Sequence, residues 1–205
     1  MRRYVTTLFP LLLGLLAATA VLAQQPDSVI TIQARVNGTT WYRLRIAPGG
    51  AAPQVALAKR EQISYDYMET GCFREIGRAI DSLRPQQLDT ARFYYLLATL
   101  DSLKDVYSQY RRDTLRLDSP EDLAYRQQAR AFFSAREPDN RKRIVLDGVH
   151  YEVSLQTGSR TERYTVHAPD EQHHPILRAL IQATFDRYRA VGGSILFSLR
   201  DTFGF

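Results

Sequence analysis

The chain has 205 residues and a net charge of +5, from 27 Lys+Arg against 22 Asp+Glu, with a single cysteine. One thiol cannot form an internal disulfide, which excludes a disulfide-stapled scaffold. The positive charge is almost all arginine and forms no concentrated basic stripe, which argues against a nucleic-acid binder.

Residues 1–23 read as a secretory signal peptide. Arg2 and Arg3 precede an apolar run from Leu8 to Leu22, and the small residues Val21 and Ala23 stand before a cleavage point at Gln24. The run is short for a membrane span, and no later stretch is long and apolar enough for one. The expectation is an exported protein, periplasmic or secreted, with no membrane span after cleavage. About 180 residues then remain, enough for a domain with a real core.

Val29–Ile46 alternates. Ile30, Ile32, Ala34 and Val36 share one face, and Tyr42, Leu44 and Ile46 share a face of the next strand. Asn37-Gly38 marks a hairpin. A two-residue turn would set Ile32 opposite Arg43 and mix the faces. A three-residue loop at 36–38 sets Ile32 opposite Tyr42, so alternation favours the longer loop. Ala47–Pro53 is a loop, and Gln54–Met68 holds one or two short strands.

The middle reads as helical. Phe73, Ile76, Ile80 and Leu83 have helical spacing, and Pro85 stops that helix. Phe93, Leu96, Leu97, Leu100, Leu103, Tyr107 and Tyr110 line a longer helix, about 87–111. Ser119 and Pro120 open a third, with Tyr125, Ala129, Phe132 and Phe133 as its apolar side.

Arg143–Ala168 reads as a three-stranded meander. A turn at Asp147-Gly148 pairs Ile144 with Tyr151, and one at Gly158-Ser159 pairs Tyr151 with Val166 and Val153 with Tyr164. A last helix, Pro175 to Ala190, carries Ile176, Leu177, Leu180, Ile181, Thr184, Phe185 and Tyr188 and covers the meander. Ser194–Arg200 reads as a closing strand. The two β blocks can join in one sheet. The fold class is α+β: an N-terminal β-hairpin, central helices, and a C-terminal three-stranded antiparallel meander covered by a helix. Residues 24–205 form a single domain with sub-blocks 24–68 (β), 69–137 (helical) and 142–205 (meander plus helix).

Three features could carry function. The meander register sets His150 opposite His167, with Glu152 one step along and Asp170 and His173 in the next loop. Such a set could hold zinc through three nitrogen or oxygen ligands with one position open. Without it, no cofactor is called for, and the histidines are residues of a solvated polar face. Cys72 opens a helix, where the dipole favours thiolate; otherwise it is a small half-buried residue. Trp41, Arg43 and Arg45 alternate on the face opposite Tyr42, Leu44 and Ile46, which suits a protein, peptide or anionic glycan partner unless the indole is covered. No nucleophile elbow, phosphate loop or dinucleotide fingerprint is present. The leading expectation is a non-enzymatic binding domain. The alternative is a metal-binding protein or hydrolase built on the His150/His167 face.

Overall fold

The computed structural model describes residues 28–83, 89–135, 137, 149–169, 172–198 and 201. Strands β1 (Ser28–Val36), β2 (Thr39–Ala47) and β3 (Gln54–Ile63) lead into a 3-10 turn (Tyr65–Glu69) and helices α1 (Gly71–Asp81) and α2 (Thr90–Val106). Then come β4 (Ser108–Arg116), α3 (Leu123–Ala131), β5 (His150–Thr157), β6 (Arg160–His167) and α4 (Pro175–Ala190). The two β blocks join in one antiparallel sheet of order β4-β3-β2-β1-β5-β6. The α+β class is borne out.

The first hairpin corrects the expected register. Asn37 (φ 49°) and Gly38 (φ 76°) both take positive φ, as a two-residue type I′ turn requires. Val36 pairs with Thr39 and Arg35 with Thr40, but Ala34 pairs with Tyr42 and Ile32 with Leu44. One extra residue, Trp41, is inserted as a bulge. The bulge, not a longer loop, returns the apolar residues to one face.

A second correction concerns 87–111. The helix ends at Val106, and Ser108–Arg116 is an edge strand paired with β3. Its outer position explains its polar sequence, since an edge strand needs only one apolar side and is protected by charge. A third concerns the meander. The strand expected around 143–146 lies outside the described residues, as does its turn. The place beside β5 is held by β1: Tyr151 pairs with Ala34 on one side and Val166 on the other. The Gly158-Ser159 turn and the β5–β6 register are as expected, with Gly158 (φ 58°) as the positive-φ residue. The closing strand is not seen over 194–198. Ile195 and Phe197 there pack as single buried side chains, while Leu196 is exposed.

One face of the sheet carries the core. Ile30, Ile32, Ala34, Tyr42, Leu44 and Ile46 are fully buried there, against Phe132 of the turn after α3 and Leu177, Leu180, Ile181 and Phe185 of α4. Each large apolar side chain so buried contributes about 1.5–3 kcal/mol. Ile176, expected in this stripe, is 40% exposed because it begins the first turn. Tyr42 donates to Tyr151 Oη at 3.2 Å, and burial pushes the Tyr151 phenol up to about 12. Ser119 and Asp122 form a capping box ahead of α3. Asp122 Oδ1 also accepts from Arg187 Nε at 2.5 Å, which ties that start to α4. Glu137 caps α4 from a distance, accepting the amides of Ile176 (2.6 Å) and Leu177 (3.0 Å). His174 holds the N-cap position without a side-chain cap bond.

Helices α1 and α2 are inserted between β3 and β4 and attach at the first hairpin. The bulge matters here. The Thr40 amide donates to Asp105 Oδ1 and its hydroxyl to Oδ2, both at 2.8 Å. Gly38 lets the turn abut α2: a Cβ there would lie 1.6 Å from Asp101 Oδ2.

Candidate functional site

Strand alternation sends every second residue to the sheet face opposite the core. Ladder pairing joins these into rows. One row runs Arg112, Ala58, Arg43, Gln33, Glu152, Thr165. The next runs Thr114, Ala56, Arg45, Thr31, Ser154, Arg163. Arg43, Arg45, Arg112, Arg116 and Arg163 are all exposed. Among the described strand residues of this face, Glu152 is the one carboxylate, and Arg35 pairs with it at 3.0 Å. Arg43 is steadied by Gln33 Oε1 at 3.0 Å, and Gln33 in turn donates to Thr40 Oγ1 at 2.8 Å. A shallow cavity of about 510 Å³ lies over β1, β5 and β6, bordered by Thr31, Gln33, Glu152, Ser154, Arg163 and Thr165.

Trp41 has a different role from its arginine neighbours. As the bulge residue it is half-buried and packs against the core. Its indole N–H donates to Asp201, and Lys59 Nζ and the Arg60 guanidinium lie 5.6 and 5.3 Å from its ring. Asp201 is buried. It accepts from Lys59 at 2.8 Å and from the Ser198 amide at 2.6 Å. Burial raises its pKa, but the bonds from Lys59, Trp41 and Ser198 outweigh this and hold the carboxyl below its ordinary value. This cluster pins the segment around Phe197 to the sheet, and it occupies the indole.

The two strand histidines meet as the register required. His150 and His167 are direct partners. The Ala168 amide donates to Val149 O at 2.8 Å, so residues 149 and 168 form a hydrogen-bonded pair. The adjacent pair, 150 and 167, is then the non-hydrogen-bonded kind, with side chains closer together. Their ring centroids are 4.2 Å apart at an interplanar angle of 68°. Of the other residues in the expected zinc set, Glu152 is engaged by Arg35, His173 is exposed in the turn before α4, and Asp170 lies outside the described residues. No group of three or more His, Cys, Asp or Glu side chains with metal-holding geometry occurs among the described residues. Cys72 is exposed near the start of α1, whose first turn is capped by Thr70 Oγ1 accepting the Phe73 amide at 3.1 Å.

Reasoning from sequence missed Arg112 and Arg116, because the start of their strand was read as the end of a helix at about 111 and the residues after it were assigned to no element. The signal was present in Leu115 and Leu117, which alternate with polar residues at period two. It also missed Asp201, whose partners lie far away in the chain. No helix among the described residues is long and apolar enough to cross a membrane. Comparison with known proteins returns no matching family model, no match among the curated proteins and no match among the solved structures.

Proposed function

We propose that this protein is an exported, non-enzymatic binding domain whose open sheet face holds an acidic glycan. The observation that carries this reading is the charge pattern: among the described strand residues, five exposed arginines share one sheet face with one carboxylate, Glu152, already paired with Arg35, while Asp105 at the margin of that face is held by Thr40. The chemistry of that face favours a glycan over a protein. Protein interfaces centre on apolar and aromatic side chains with charge at the rim. Here arginines run across the face from β4 through β2 to β6, and the cavity beside Arg163 is bordered by hydroxyls, an amide and a carboxylate. Such groups match the hydroxyls and carboxylates of a uronate chain, with planar guanidinium groups taking the acid groups two bonds at a time. Trp41 contributes to the fold and Arg43 and Arg45 to the binding.

The test is titration of the mature chain with alginate and polygalacturonate, with neutral dextran as the comparison. Binding that weakens with salt and falls tenfold or more in Arg43→Glu/Arg45→Glu and in Arg163→Glu is the expected result. Equal binding by wild type and these variants, or none to either acidic polymer at low salt, sinks the reading. Selective capture of a polyglutamate peptide instead would assign the face to an acidic protein.

A further inference from the structure

We propose that His150 and His167 form a two-imidazole site for a divalent transition-metal ion, independent of the glycan reading. The argument starts from the backbone. Opposed residues of a non-hydrogen-bonded antiparallel pair have Cβ atoms roughly 4.5–5.5 Å apart. A metal bound by two imidazoles needs nitrogen atoms about 2.0–2.1 Å from the ion, and two side chains anchored at that Cβ spacing can supply them by rotation about their χ angles. The rings already lie 4.2 Å apart, so their approach is built by the sheet. Both strands are held in register around them: β5 is paired on both sides, and His150 has Arg35 of β1 as its other ladder partner.

The local charge permits a cation. Arg35 is the fixed positive charge on that rung, and its guanidinium is engaged: Nε donates to Gly38 O at 3.0 Å and Nη1 to Glu152 at 3.0 Å. Glu152 thus offsets Arg35 beside the pair. Both histidines are partly exposed, which gives water access to the remaining coordination positions. Imidazole donors select copper, zinc or nickel over magnesium and calcium, which prefer oxygen.

Zinc chloride titrated calorimetrically into the full mature chain, in a non-chelating buffer, tests this, with magnesium chloride in parallel. One zinc ion per chain, no magnesium uptake, and a tenfold or greater loss of affinity in both His150→Gln and His167→Gln are expected. His173→Gln should bind as wild type. The ring resonances of His150 and His167 should both shift on zinc addition. Unfolding midpoints of the variants show that the sheet is intact. Zinc binding that persists in the His150→Gln/His167→Gln double variant, that depends on His173, or that is absent from the wild type overturns the proposal.

Discussion

Asp201 shows how much one residue can hold. It gathers the Lys59 ammonium, the Trp41 indole and the Ser198 amide around one buried carboxylate. Asp201→Ala leaves Lys59 and the indole without that acceptor and should cost about 2–4 kcal/mol, read by urea denaturation. Trp41 fluorescence should shift to the red at the same time, as the indole loses its cover. An unchanged midpoint and spectrum would show that the cluster is not structural. The same carboxylate sets an acid limit. Its folded pKa lies below the ordinary value of 3.8, and so does that of Asp122, where burial raises the pKa but the hydrogen bonds from Arg187 and Ser119, with the Arg187 charge, together outweigh it. A depressed carboxyl stabilises the fold fully above its unfolded value, and that stability is lost as pH falls through the folded one. The unfolding midpoint should therefore be flat above about pH 5 for these groups and fall progressively below it. The Asp201→Asn variant should show a shallower acid slope. None of this was legible from the sequence, because Asp201 is one aspartate among many until the chain has folded back upon Lys59.

At the scale of elements, local chemistry was readable and partner choice was not. Pro175–Ala190 was legible to the residue, because its stripe has helical period and a proline opens it. The β5–β6 hairpin was legible because both strands are apolar on one face, so only one register keeps those residues together. The first hairpin misled because the alternation was satisfied by a bulge at Trp41, and a bulge has no strong sequence mark. Strand β4 misled because it lies at an edge and follows a helix whose apolar spacing runs on through Tyr107. The bulge also anchors the α1–α2 insertion, through the two bonds from Thr40 to Asp105. Asp105→Ala should cost about 1–3 kcal/mol for a partly buried double acceptor. Limited proteolysis should then cut within residues 71–106 sooner than in the wild type. Cleavage at the wild-type rate would show that the insertion is held by other contacts.

For the whole molecule, sequence alone was enough for the α+β class and for placing Arg43, Arg45, His150 and His167 on polar faces. It could not show that these faces are one face. That follows from β1 pairing with β5, which brings the first and last β blocks into a single sheet and aligns Arg45 with Arg163 through Thr31 and Ser154. The same pairing has a consequence in time. The contact between β1 and β2 is local, whereas β1 meets β5 only after a chain segment on the order of a hundred residues has been made, and such closure slows folding. Until β5 arrives, β1 presents an apolar strand with one row of unpaired amides and carbonyls, the form of edge that recruits other chains. A fragment of residues 24–135 should accordingly aggregate at concentrations where residues 24–205 stay dispersed, as light scattering would report. If the fragment stays monomeric, the early strands have some other shelter. During synthesis, then, the chain's most exposed interval falls between the emergence of its first strand and that of its fifth, the period in which a holding chaperone would matter most.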